Sequence, residues 1–156
     1  MKKKLDNLPL RDGVGIVVLN KSNKIFVGKR IDNQKAWQMP QGGVDENEDC
    51  FSAARRELYE ETGIQSIRII EKSKEKYIYD LPKYLLGKIW KGKYKGQRQR
   101  WFLIKFLGPD SEINLNQKCP EFNEWKWVDI DELPKIIVPF KKKLYLSLIK
   151  EFYDFI

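Results

Sequence analysis

Histidine is absent from the 156-residue sequence, and cysteine occurs only twice, at Cys50 and Cys119. Without imidazole there can be no Ser-His-Asp triad, no histidine general base and no histidine-containing zinc site. The two thiols form no CxxC pair and suggest neither a metal knuckle nor a disulfide framework, so they read as free cysteines in a reducing compartment. Long apolar runs are missing as well. Residues 1–4 are basic like the start of a signal peptide, but residues 5–12 add no continuous apolar stretch and nowhere do 18 apolar residues run together. The expectation is a soluble, cytoplasmic protein with no membrane partner. Internal repeats and low-complexity linkers are also lacking, and the length suits one globular domain over residues 1–156. Any chemistry rests on carboxylates, Lys, Arg, Tyr, Cys or a bound metal.

Apolar residues make up 42% of the chain and charged residues 33%, which is enough for a sizeable core and too much for a disordered tail. With 30 Lys+Arg against 22 Asp+Glu the formal net charge is +8. A nucleotide, a nucleic acid or a membrane surface would each suit that sign, which by itself selects none.

Residues 14–19 and 25–28 are apolar and β-branched, separated by Asn- and Ser-rich turn formers, and predict a hairpin. A short strand at residues 37–40 leads into Gln41-Gly42-Gly43, where two glycines predict a tight turn. From about Glu48 to Thr62 the period changes: Phe51, Ala54 and Leu58 recur at i, i+3 and i+7, and Gly63 stands where a helix C-cap glycine belongs. Residues 64–70, 77–79, 101–107 and 125–128 read as strands, residues 81–100 as a strand or two with a long basic loop, and residues 131–137 as a short helix. Phe140, Leu144, Leu148 and Phe152 place a second amphipathic helix at the end. The coarse expectation is an α/β or α+β sandwich.

The first helix carries Glu57, Glu60 and Glu61 on its polar face, spaced so that their carboxylates are neighbours. Such a face is ordinarily a solvated one. It is also the donor set a hard cation takes, since Mg²⁺ binds carboxylates together with water and substrate phosphate. The surrounding pattern favours the second reading: Gly42, five residues, Glu48, seven residues, Arg56-Glu57-Leu58, one residue, Glu60-Glu61, one residue, Gly63-Ile64. At a usage of roughly 7% for each of the seven polar or glycine positions, a chance match per window is on the order of 10⁻⁸.

That pattern resembles a complete Nudix box. The resemblance implies an α/β class and a Nudix fold, an α/β/α sandwich around a mixed β-sheet, with hydrolysis of a nucleoside diphosphate linked to another group. It implies that Glu57, Glu60 and Glu61 hold two or three Mg²⁺ or Mn²⁺ ions, that the Gly42 carbonyl adds a ligand, and that Glu48 and Arg56 brace the loop-helix-loop as an ion pair with Gly63 closing it. Flanking stretches, Arg11-Asp-Gly-Val-Gly15, Trp37-Gln-Met-Pro-Gln-Gly-Gly43, Gly96-Gln-Arg-Gln-Arg-Trp-Phe102, Pro120-Glu-Phe-Asn-Glu-Trp-Lys-Trp127 and Val138-Pro-Phe-Lys141, are similar to the subgroup of bacterial RNA 5′-pyrophosphohydrolases and asymmetric dinucleoside tetraphosphate hydrolases. Met39 departs from it, standing where Phe is common.

In that subgroup a loop glutamate joins the metal site, and Glu121 falls at the matching position. Which of Glu57, Glu60 and Glu121 accepts the proton of water is not set by spacing. Arg11, Arg30, Arg98 and Arg100 are candidates for phosphate, because a guanidinium forks onto two oxygens. The resemblance places Arg30, Val138, Phe140 and Lys141 around a nucleobase, although Phe140 also begins the apolar stripe of the last helix. Tyr77 and Tyr79, with the lysines from Lys83 to Lys95, are candidates for tracking a polyphosphate or an RNA backbone. Against that, 23 Lys to 7 Arg alongside 16 Ile is also what a chain-wide codon bias produces. The substrates implied are 5′-triphosphorylated RNA, leaving a 5′-monophosphate and initiating mRNA decay, or a nucleoside polyphosphate such as diadenosine tetraphosphate, with no DNA. A non-catalytic module binding RNA ends or nucleotides is the alternative from another class, and the retained glutamates argue against it.

Overall fold

The computed structural model describes residue 5, residues 7–33 and residues 35–156, so the basic start at residues 1–4 lies outside the described residues. The β-branched run at residues 14–19 forms most of strand β1 (Leu10–Leu19), which is buried on both faces from Gly13 onward. Its long neighbour is β7 (Gly96–Phe106), paired in parallel over the whole length from Leu10↔Gly96 to Leu19↔Lys105. A strand covered on both sides reads as a continuous apolar run, which is why no alternation is visible there.

Around this pair the sheet is mixed and eight-stranded: β2 (Ile25–Arg30), β3 (Trp37–Gln38), β4 (Gln41–Gly43), β5 (Ile67–Lys72), β6 (Tyr77–Asp80) and β8 (Phe122–Val128) complete it. Helix α1 (Cys50–Thr62) covers one face and helix α3 (Lys142–Phe152) the other, with the single turn α2 (Leu133–Ile136) before it. Val14, Ile16, Val18, Phe102 and Ile104 pack with Ala53, Ala54 and Leu58 of α1. Val17, Leu19, Trp101 and Leu103 pack with Leu144, Tyr145, Leu148 and Phe152 of α3. The result is the expected α/β/α sandwich.

Two expectations change. The predicted hairpin pairs only at Leu19↔Ile25, after which β1 and β2 splay apart and β2 turns to β3 and β8. The predicted glycine turn is instead strand β4, antiparallel to β1 through Gly13↔Gly43, Val14↔Gly42 and Gly15↔Gln41. Glycine on both sides permits that approach, since a Cβ on Gly13 would lie 2.8 Å from the Gly42 carbonyl oxygen. Residues 37–43 thus fill the wedge between β1 and β2. The wedge is pinned to α3 by the buried Tyr145, whose hydroxyl accepts from the Met39 N–H at 2.8 Å.

The boundaries of α1 follow from its caps. Asp49 accepts from the Ser52 N–H at 2.8 Å, which holds the Asp49 carboxyl below its ordinary pKa, and Gly63 ends the helix in the left-handed region at φ 75°. The helix starts at Cys50, later than about Glu48, because Glu48 is engaged in the preceding loop. Among the described residues no helix is long and apolar enough to cross a membrane.

Candidate active site

Arg56 organises the box. Its guanidinium donates to Glu48 at 2.9 and 3.0 Å, to the Gly43 carbonyl at 2.9 Å, to Glu57 at 3.0 Å and to Glu60 at 3.2 Å. The hydrogen bond with Glu48, before any other contact, raises the Arg56 pKa and lowers that of Glu48. Glu48 also accepts from the Asp45 N–H, so the expected brace between loop and helix is formed. One cation thereby ties the loop, strand β4 and two of the three glutamates together.

The glutamates are graded in burial. The Glu60 carboxylate is exposed, that of Glu57 largely covered, and Glu61 only 5% exposed. Burial pushes both Glu57 and Glu61 above the ordinary carboxyl range; for Glu61 the charges of Glu57 and Glu121 add to it. The Glu61 Oε2 atom is buried without a hydrogen-bond partner among the described residues. No three acidic or thiol side chains among the described residues are gathered into a ready-made ion cage. The donor chemistry nonetheless fits a hard divalent cation: an orphaned, buried carboxylate oxygen beside a second carboxylate is a group that a cation would satisfy. Gly42 sits against Glu57 so closely that a Cβ there would lie 2.0 Å from the carboxylate carbon.

A cavity of about 970 Å³ extends from these glutamates along Gln38, Gln41 and Gly42 to Tyr79, Trp90 and Phe140. Of the residues expected at the site, it is lined by Gly42, Glu57, Glu60, Glu61, Glu121, Arg11, Arg30, Val138, Phe140 and Lys141. Glu121 is held there by its backbone, whose carbonyl accepts from the Ile31 N–H. Arg11 lies under Gly43 and over the Trp90 ring, 5.2 Å from its centroid. Arg30 is forked onto Asp32 and reaches the Gln38 side chain at 3.2 Å.

Three expected residues do not join the cavity. Tyr77 donates to Glu151 of α3 at 2.7 Å, two residues along β6 from the cavity. Burial and that carboxylate raise its pKa. Arg98 pairs with Asp12 at 3.0 Å, and Arg100 donates to the Ser73 and Lys74 carbonyls. Strand alternation is the reason: Arg98 and Arg100 share the α1 face with Phe102, while Gln97 and Gln99 take the other face with Trp101.

Tyr79 reaches the cavity where Tyr77 does not. Its ring stands 6.0 Å from that of Phe140, and the Lys141 ammonium lies 5.4 and 5.7 Å from the two ring centres. Lys141, fully buried, donates to the side-chain oxygens of Gln38 at 3.0 Å and Gln41 at 3.2 Å. Gln41 donates in turn to the Tyr79 hydroxyl, and Tyr79 to Gln97. The glutamines were not expected here, because uncharged amides on short strands carry no pattern. Phe140 is released from the last helix because residues 139–141 form a 3₁₀ turn begun by Pro139. It meets the edge of the core and also lines the cavity.

Burial, and then Arg30, depress the Lys141 pKa from 10.5 to about 7, against the pull of Glu61, Asp32 and Glu121. Between about pH 7 and 10.5 the unfolded chain therefore binds more protons than the folded one, so this residue's contribution to stability rises with pH there. Below pH 7 the buried charge exerts its full cost. Lys141→Met is accordingly expected to gain a few degrees of melting temperature over the parent at pH 6 and to lose that advantage by pH 9, in melts without divalent ions. A difference independent of pH would mean that the lysine keeps its proton throughout.

Comparison with known proteins gives the family of the chain and its likeness to named relatives. The NUDIX domain family model matches residues 9–148. A protein of Pelagibacter ubique named RNA pyrophosphohydrolase is 59% identical over 140 residues, covering 89% of each chain. One of the same name from Rickettsia conorii is 53% identical over 156 residues, covering 99% of this chain and 96% of the relative. Among solved structures, a C. elegans Ap4A hydrolase binary complex superposes with a TM-score of 0.70 at 26% identity, covering 94% of this chain and 97% of that one.

Proposed function

This chain belongs to the Nudix family, and from that premise we propose that it is an RNA 5′-pyrophosphohydrolase, converting 5′-triphosphorylated transcripts to 5′-monophosphates with release of pyrophosphate. The observation that carries the reading is that the glutamates and an aromatic, cationic cleft share one cavity, in a chain 59% identical to a protein named for this activity. Nudix hydrolases generally need divalent metal ions. Here Glu57, Glu60, Glu61 and Glu121, with the Gly42 carbonyl, would hold two or three Mg²⁺ or Mn²⁺ ions. When bound, such ions neutralise phosphate charge and lower the pKa of water.

The chain's own residues do the rest. Arg11, fixed between Gly43 and Trp90, takes a phosphate of the triphosphate in a forked contact. Phe140, packed on Tyr79 with ring centres 6.0 Å apart, offers its cavity-side face for a nucleobase to stack on, with Val138 at its edge, while Lys141 and Arg30 present donors to the base edge. Stacking of this kind contributes roughly 1–3 kcal/mol per base. Buried Glu61 is dehydrated in advance of the reaction, and Arg56 keeps Glu57 and Glu60 oriented. The two free cysteines suit a reducing cytoplasm, where this substrate is made.

Diadenosine tetraphosphate is the second reading, favoured by the likeness to the C. elegans enzyme. Measured side by side with saturating Mg²⁺, kcat/KM on a triphosphorylated RNA is expected to exceed that on diadenosine tetraphosphate by about tenfold or more, the step that one additional well-placed contact supplies. The reverse order would assign the dinucleotide as substrate.

A further inference from the structure

Between β6 and β7 the chain makes a loop, residues 82–95, and we infer that this loop binds the sugar-phosphate backbone of single-stranded RNA downstream of the 5′ end. The inference rests on the RNA reading above and extends it from the reacting triphosphate to the body of the transcript.

The loop is built as a fixed platform. Its ends are closed by the Leu81 N–H donating to the Lys95 carbonyl at 2.8 Å, and the Lys95 N–H ties it to Pro9 at 3.0 Å. Within it the N–H groups of Leu85, Lys88, Gly92 and Lys93 each find a loop carbonyl. Gly87, Trp90, Lys91 and Gly92 all take positive φ, which turns the backbone sharply and leaves Trp90 under the Arg11 guanidinium. The inner side of the loop, including Leu85, Ile89 and Trp90, is a wall of the same cavity that holds the glutamates.

Its outer side is cationic without relief. Lys83, Lys88, Lys91 and Lys93 are exposed, and residues 81–95 contain no Asp or Glu. None of the four makes an ion pair among the described residues, whereas Lys29, Arg30, Arg56 and Arg98 all do. Tyr84 stands 64% exposed on the same loop, an aromatic face that touches the cavity and can take a base. Elsewhere the cavity rim mixes signs, with Arg30 and Asp32 paired on one side and Lys118 and Glu121 on another. An RNA with its 5′ phosphates at the glutamates would therefore leave most favourably across residues 82–95, exchanging counterions for lysines and stacking on Tyr84. A codon bias toward lysine explains the residue type but not the exclusion of acid from this one loop.

The test compares a triphosphorylated trinucleotide with a triphosphorylated RNA of about twelve unpaired nucleotides, on the parent and on the triple variant Lys83→Gln, Lys88→Gln, Lys91→Gln. The variant is expected to lose about tenfold in kcat/KM on the longer RNA, and its dependence of log kcat/KM on log salt is expected to flatten by about 2, near 0.7 per lost contact. Rates on the trinucleotide and on diadenosine tetraphosphate should stay within about twofold, which also reports an intact fold. Tyr84→Ala should lower only the longer RNA's rate, by about fivefold or more. Equal losses on both RNA lengths, or no loss on either, would overturn the assignment. A parent that prefers diadenosine tetraphosphate to both RNAs would instead overturn the substrate reading beneath it.

Discussion

Glu61→Gln is expected to lower turnover by about a thousandfold while the melting temperature measured without divalent ions stays equal or rises. The loss reflects a carboxylate that stabilises charge in the reaction by several kcal/mol, with each 1.36 kcal/mol worth a factor of ten. The gain reflects burial. Glu61 has one carboxylate oxygen without a partner among the described residues, and Glu57 and Glu121 add like charge to the cost of burying it. Its folded pKa lies well above 4.5, so the folded state binds more protons than the unfolded one from about pH 4.5 upward. This residue's contribution to stability therefore falls as pH rises through that window, and the Gln variant lacks the decline. Melting curves at pH 5 and pH 8 with chelator would read it directly. Near-normal Mg²⁺-dependent turnover in the variant would remove Glu61 from the metal site.

Gly42→Ala should damage catalysis far more than stability. Its Cβ would meet the end of the Glu57 side chain at 2.0 to 2.4 Å, and that flexible end can swing away with little strain. Displacing the carboxylate by about 1 Å is expected to lower kcat about a hundredfold, the usual sensitivity to misplaced groups. The denaturation midpoint should move little, because Gly42 is not in a left-handed conformation. Gly15→Ala provides the opposite case: its Cβ would enter the buried Trp101 ring at 2.3 Å, so stability suffers by about 1–3 kcal/mol and the surviving folded enzyme keeps its specific activity. Comparable activity losses per folded molecule in the two variants would mean that Gly42 has no special relation to Glu57.

Much of this is legible in the amino-acid sequence, for reasons that differ by element. Helix α1 could be read because its apolar residues, its glycine cap and its glutamates all obey one period. Strand β1 was visible as a run of branched residues. The partner of β1 was not, since a parallel pairing across most of the chain leaves no local trace, and the turn formers after Leu19 suggested a hairpin that pairs at one position only. Strand β7 begins five residues before the apolar stretch at residues 101–107, because Gln97 and Gln99 are buried amides that mimic a loop. The cavity was half legible. Acidic and basic residues could be named from the box and its flanks, but strand parity, which sends Arg98 and Arg100 away and brings Tyr79 and Gln41 in, depends on the register.

The parallel pairing also has a consequence for how the protein is made. Every residue of β1 faces a partner 86 positions later in the chain. At synthesis rates of about 5–20 residues per second, β1 leaves the ribosome roughly 4–17 s before its neighbour exists. Throughout that interval the edge of residues 14–19 that β7 will cover stays open on an apolar strand, the kind of segment that pairs with other chains. The hazard of aggregation thus belongs to the nascent chain, and ends once β7 arrives and two helices close over the same residues.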